Sequence, residues 1–212
     1  MRAVFTVGFA DSAHPTLFCY SAAMFNPRVQ QVMDRVDRLR HEVDDHWQVP
    51  REEAELLAQL IRIGRCVSVC EIGVSYGYST LHLAAAAAEH AGHVHAIDIS
   101  EKKYHAATQH LTEAGLIQHL TVHLGDARAV LADLTPAQPF DFVFIDAEKA
   151  QSLAYLNAVS PKLAPRAMVA TDNSTTHARE LAPFIDHLRR LPNAHSCQVN
   201  VGNGFELTLI SQ

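Results

Sequence analysis

The chain has 212 residues, 48% of them hydrophobic and 19% charged, a composition that suits a soluble globular protein with enough residues for one sizeable core. A formal net charge of −6 with no basic run argues against a nucleic-acid backbone as principal partner. The apolar N-terminal stretch, interrupted by Asp11, His14 and Pro15, reads as neither a signal peptide nor a membrane span. The expectation is therefore a single cytoplasmic domain over residues 1–212 that acts on a small molecule, without nucleic acid or membrane as partner and with a homodimer left open.

Residues 1 to 25 have no clear period and read as an irregular arm. Asn26-Pro27 is a helix start, and Val29, Val32, Met33, Val36, Leu39 and Val43 recur at helical spacing, which predicts a first helix to about His46. Pro50 opens a second helix carrying Leu56, Leu57, Leu60 and Ile61, with Gly64 placed to end it. The stretch Val67 to Gly77 then reads as strand and glycine loop, followed by a helix from Tyr78 to His90. Next come a strand His93 to Ile99, a helix Glu101 to Ala114 stopped by Gly115, and a strand Leu120 to Leu124. A short helix follows Asp126, and the Pro136 to Pro139 turn leads into the apolar strand Phe140 to Asp146. A helix Lys149 to Leu163, a strand Ala167 to Asp172 and a helix from about His177 to Arg190 complete the alternation. Two last strands joined at Gly202-Asn203-Gly204 read as an antiparallel hairpin. The pattern predicts an α/β fold with seven strands, five of them parallel.

Cys66 and Cys70, read as lying in one strand, would be about 13 Å apart, too far to bridge. With Cys19 and Cys197 they read as free thiols, and none of the fourteen histidines is assigned to a metal.

Chemistry-bearing residues fall at the strand ends. Glu71 closes the first strand before Gly73 and Gly77, where glycines let the backbone approach a ligand and an acid suits an ammonium group. Ser75 stands where a dinucleotide turn needs its second glycine, which argues against a pyrophosphate pressed on the loop, and S-adenosylmethionine meets both conditions. An ordinary strand-to-helix connection is the bland alternative. Asp98 is placed to bond ribose hydroxyls or to cap the helix opening at Glu101. Asp126 is placed to face an adenine or to cap the next helix. Asp146, Asp172 and Asn173 form an all-oxygen set that selects a hard cation such as Mg²⁺, Mn²⁺ or Ca²⁺, unless Asp172 or Asn173 only caps the following helix.

The ordered set Glu71-Ile-Gly73-Val-Ser-Tyr-Gly77-Tyr-Ser79, Ala-Ile-Asp98-Ile, Phe-Asp-Phe-Val-Phe-Ile-Asp146-Ala-Glu-Lys149, Asp172-Asn173 and Gly202-Asn-Gly204 resembles the cation-dependent O-methyltransferases of the caffeoyl-CoA and catechol type. The resemblance spans roughly Pro50 to the C-terminus and implies a Rossmann-like sheet with helices on both faces. It implies that Glu71, Gly73, Ser75, Gly77 and Ser79 hold the methionine part of S-adenosylmethionine, Asp98 the ribose, and Asp126 with Ala127 the adenine. It also implies that Asp146, Asp172 and Asn173 ligate a divalent cation, that Asp146 touches the cofactor, and that Lys149 is the general base beside Asp146, with a hydroxylated aromatic acceptor. For Lys149 the alternative is a solvated residue at a helix start. Ser152 departs from the family's aromatic position and Arg166-Ala167 from its glycine pair, and the segment after Asn173 is short. That shortness predicts an open acceptor site covered mainly by Met1 to His46, within an N-terminal arm and helix over 1–49. A methyltransferase for a sugar or peptide hydroxyl, and a cofactor-binding module without catalysis, are the competing readings.

Overall fold

The computed structural model describes residues 24–211. The sequence-predicted arm therefore lies almost wholly outside the described residues. A first helix, α1 (Pro27–Leu39), starts where Asn26 Oδ1 accepts the Arg28 N–H at 2.9 Å, and it buries Val29, Val32, Met33 and Val36. It ends at Leu39, not His46. The Asp37 carboxylate accepts from Arg40 at 2.5 Å, Gln48 at 2.8 Å and Arg51 at 2.9 Å, and these three bonds fold the chain back through a turn before α2 (Arg51–Gly64).

The second helix stops differently from the sequence expectation. The left-handed residue is Arg65 (φ 53), while Gly64 is the last helical residue, where a Cβ would lie 2.6 Å from Met168 Cε. Gly64 serves close packing, and the turn itself falls one residue later.

From there strands and helices alternate as β1 (Ser68–Ile72), α3 (Tyr78–Ala88), β2 (His93–Asp98), α4 (Glu101–Ala114), β3 (Leu120–Leu124), α5 (Ala127–Asp133) and β4 (Phe140–Ile145). The chain closes with α6 (Ser152–Val159), β5 (Leu163–Asp172), α7 (Ala178–Arg190), β6 (Ala194–Val199) and β7 (Phe205–Ser211). Two expected boundaries shift. The predicted helix Lys149 to Leu163 is α6 flanked by single 3₁₀ turns, because Pro161 cannot continue an α-helix. The expected strand Ala167 to Asp172 starts four residues earlier at Leu163. Pro165 is accommodated because pairing with β4 jumps from Phe140–Leu163 to Phe142–Met168, an irregularity that spares the missing N–H. Cys66 precedes β1, so it and Cys70 do not share a strand; Cys66, Cys70 and Cys197 are free thiols.

The seven strands form one sheet in the order β3-β2-β1-β4-β5-β7-β6, parallel except for β7, which runs antiparallel between β5 and β6. One apolar core joins the sheet to α1 through α4 on one face, and a second joins it to α5, α6 and α7 on the other. Both faces are thus covered, as the unbroken apolar run Phe142-Val143-Phe144-Ile145 requires. Parallel pairing places the carboxyl ends of β1 to β5 on one rim. The antiparallel β7 starts at Phe205 directly opposite Asp172, so the hairpin turn around Asn203 joins that rim. No helix among the described residues is long and apolar enough to cross a membrane.

Candidate active site

A cleft of about 1070 Å³ opens at this rim between the ends of β1 to β5, the start of α7 and the turn before α2. The order of strands, reversing between β1 and β4, creates such a crevice in an open parallel sheet.

Its first wall is the β1–α3 loop. Gly73 sits at φ 95, and a Cβ there would lie 2.0 Å from the Asp146 carbonyl oxygen, so only glycine lets the loop press against the end of β4. Asp98 fixes the loop from the other side: Oδ2 accepts the Val74 and Ser75 N–H groups at 3.0 and 2.9 Å, and Oδ1 accepts the Ser100 N–H at 2.8 Å. The cap of α4 is Ser100, whose hydroxyl accepts from Lys103 N, so that alternative for Asp98 falls to its neighbour. Ser75 has φ 49 and a buried hydroxyl with no protein partner, beside Ser79 in the lining. A buried hydroxyl left open at a ligand cleft is a group for a polar ligand to satisfy.

Glu71 is placed behind this wall. It is fully buried and does not line the cleft; its two oxygens accept Ser79 Oγ at 2.5 Å and Thr80 Oγ1 at 2.6 Å. Burial pushes its carboxyl up to about 8 despite those two bonds. Its structural effect is to hold the first turn of α3, so any contact with a ligand runs through Ser79. Asp126 is the cap of α5, accepting Arg128 N at 2.8 Å and pairing with the Arg128 guanidinium at 2.6 Å, which holds its carboxyl at about 2. Asp126 and Ala127 both line the cleft, so capping does not remove Asp126 from it.

The second wall gathers the acids of β4 and β5. Lys149 Nζ donates to Asp146 Oδ1 and to the Ala147 carbonyl, each at 2.9 Å. Asp172 is 1% exposed, and burial followed by the neighbouring Asp146 and Glu53 carboxyls pushes it up to about 10. Asn173 adopts φ 68, donates from Nδ2 to Thr176 Oγ1 at 3.1 Å, and so leaves its amide oxygen free.

Glu53 of α2 was not singled out from the sequence. It is fully buried, accepts the Asn203 N–H at 3.0 Å, and faces Asp172. Burial raises its carboxyl as well, and with both acids ionised Glu53 Oε1 would have no hydrogen-bond partner. Burial and the neighbouring carboxyls thus push both members of the pair toward the protonated form. Gly202 (φ 60) is required here because a Cβ would lie 2.6 Å from Glu53 Oε2. The sequence did hold a signal: Glu53, Leu57 and Ile61 recur every four residues, so the acid sits in the buried stripe of α2.

The turn before α2 is the third wall. Asp45 accepts from Tyr76 Oη at 2.8 Å and Lys102 Nζ at 3.1 Å, and His46 stacks on Tyr76 at 4.6 Å. Residues 45–48 line the cleft, while α1 packs on α3 and α4 instead of over the opening.

The acids, amide oxygens and open hydroxyls suit a hard cation. Asp146 and Asp172 with the Asn173 oxygen provide oxygen donors only, and a buried acid crowded by two other carboxyls is relieved by a positive charge. Among the described residues no three His, Cys, Asp or Glu side chains converge as a metal's ligands would.

A parallel five-strand rim with an acid at each end, a glycine loop, and a reversed seventh strand define a methyltransferase architecture. The chain belongs to the O-methyltransferase family, whose model matches residues 28–187, and it is an S-adenosylmethionine-dependent O-methyltransferase. It is 30% identical over 178 residues to caffeoyl-CoA O-methyltransferase 2 of Zea mays, covering 74% of this chain and 67% of that one. It is 27% identical to tapetum-specific methyltransferase 1 of Arabidopsis thaliana, covering 75% and 76%. The crystal structure of TomG from Streptomyces achromogenes, an O-methyltransferase involved in tomaymycin synthesis and determined with SAM, superposes with a TM-score of 0.75 at 26% identity over 86% of this chain and 90% of that one.

Proposed function

We propose that this enzyme methylates a hydroxyl of a catechol-like small molecule with the help of a divalent cation, Mg²⁺ first among the candidates. The observation that carries the reading is Asp172, buried beside Asp146 and next to the free oxygen of Asn173 on the rim that the cofactor loop also reaches. Vicinal hydroxyls suit such a site because both oxygens could ligate the cation at positions that three protein oxygens leave open.

A phenol with a pKa near 10 is about one-thousandth ionised at neutral pH, and making it fully nucleophilic needs about 4 kcal/mol. Bound at Asp146, Asp172 and Asn173, a divalent cation supplies the charge that stabilises the acceptor's oxyanion, and S-adenosylmethionine supplies the methyl group. The chain's own residues position and desolvate. Ser75 and Ser79 face the cofactor's amino-acid part, Asp98 holds the loop and faces the ribose, and Asp126 with Ala127 flanks the adenine. Asp172 would favour its ionised form with a cation held there. Lys149 would be the acceptor for the phenolic proton: a cation bound beside it would destabilise its ammonium, which would release a proton to solvent, and the neutral amine, still donating to the Ala147 carbonyl, would take the proton of the acceptor's hydroxyl. Methyl transfer then depends on holding the oxygen in line with the methyl.

The test is metal dependence. Turnover of a catechol should vanish in excess chelator and return with Mg²⁺ or Mn²⁺, while S-adenosylmethionine affinity by calorimetry changes by less than about tenfold. Full turnover in chelator would sink the reading.

A further inference from the structure

The cleft that holds this reaction is lined by seven carboxylates and two lysines, with no arginine. Both lysines are already engaged. Lys149 is paired with Asp146, and the Lys103 ammonium lies 4.7 Å over the Trp47 ring beside the cofactor loop. Beyond Asp172 and Asn173 the wall continues into the start of α7, where His177 and Glu180 line the cleft, as Glu148 after β4 also does. Glu180 is exposed and makes no ion pair among the described residues, and neither does Glu148. Arg179, next to it, is on a face of α7 that does not line the cleft.

Resting on the proposed function, we infer that the acceptor is a cationic or neutral catechol, an ammonium-bearing one preferred, and that Glu180 is the residue that selects against anionic acceptors. Lys102 and Arg128 balance Asp45 and Asp126, and a dication with a cofactor of net charge +1 offsets the acids deeper in the cleft, which leaves the unpaired Glu148 and Glu180 as the charges that an acceptor's tail meets. An aliphatic ammonium a few ångströms from the ring finds Glu180 or Glu148 at the mouth. A carboxylate there meets like charge and no free cation, and a coenzyme A thioester, with its several phosphate charges, meets it many times over. The site differs in this from one built for an anionic tail, which would place Arg or Lys at the mouth.

The experiment compares three acceptors of one size at saturating Mg²⁺ and S-adenosylmethionine: 2-(3,4-dihydroxyphenyl)ethylamine, 4-ethylcatechol and 3,4-dihydroxyphenylacetate. The expected order of kcat/KM is ammonium, neutral, carboxylate, with about thirtyfold or more between the extremes, compressed severalfold in 0.5 M salt because the mouth is solvated. Glu180→Lys should reverse the order of the two charged compounds. Affinities of the same three, measured by calorimetry with Mg²⁺ and S-adenosylhomocysteine, read the preference independently of chemistry. If none is methylated but the affinity order stands, the proposed reaction fails and the charge preference survives. A carboxylate that binds or reacts as well as the ammonium, no binding by any of the three, or a Glu180→Lys ratio within threefold of the parent overturns it.

Discussion

The two walls of the cleft treat their acids in opposite ways. On the cofactor wall the lining carboxylates are matched, Asp98 by three backbone N–H groups and Asp126 by the Arg128 guanidinium, while Glu71 behind the wall is held by two hydroxyls and still pushed up by burial. On the β4–β5 wall acids face one another, Asp172 against Glu53 and Asp146, with Lys149 the one ammonium in contact among the described residues. The first wall is finished by the fold itself, so its geometry should be the same with or without a ligand. The second is under electrostatic tension that a bound cation would remove. Binding of the cofactor and completion of the reacting centre are thereby assigned to different strands, and substitutions should separate them.

The largest separation is expected at Lys149. Lys149→Met should lower kcat by about 10² or more, the usual weight of a positioned proton acceptor, with cofactor affinity changed far less. A variant within threefold of the parent in kcat would leave Lys149 as no more than the partner of Asp146, and the contrast between the walls would lose its catalytic meaning.

The cofactor wall should break at Asp98. Removing a carboxylate that holds three N–H groups leaves buried donors unmatched, and hydrogen bonds to charged groups contribute roughly 1.5–3 kcal/mol each. Asp98→Ala should weaken S-adenosylmethionine by at least about tenfold and lower Tm, whereas Mg²⁺ affinity should stay near the parent's. Equal losses of cofactor and cation affinity would mean that the walls are not independent.

Much of this division was written in the sequence, and the reason is local. Glu71, Asp98, Asp126, Asp146 and Asp172 each follow an apolar run, and strand period alone places them at one rim. What was hidden depended on contacts between distant segments. The end of α1 at Leu39 is set by Asp37 gathering Gln48 and Arg51, bonds 11 and 14 residues apart that no helical period reports. The same turn, not α1, carries residues 45–48 onto the cleft. The role of Asp98 as the clamp of the glycine loop needs Val74 and Ser75, over twenty residues earlier, and Glu53 meets Asp172 across most of the chain. Glu53 alone of these was within reach, as the acid in the Leu57–Ile61 stripe.

The smallest predicted effect tests the tension directly. Asp172 has a folded-state value near 10 against an ordinary carboxyl value of 3.8, so the folded protein binds its proton more tightly than the unfolded chain. Its contribution to stability is complete below about pH 4 and is lost as pH rises toward 10, which means that the cation-free enzyme becomes less stable with each step above neutrality. Asp172→Asn keeps the shape of the protonated form and cannot ionise. In chelator at pH 8 the variant should therefore be as stable as the parent or melt about 2–4 °C higher, the range a change of about 1 kcal/mol gives in a chain of this size. The parent should gain Tm when Mg²⁺ is added, because a bound cation favours the ionised Asp172 and stabilises the folded state by mass action. The variant, lacking that carboxylate, should gain little. A variant that melts well below the parent in chelator would show that Asp172 is held ionised and already matched, as Asp98 is, and the two walls would then be alike.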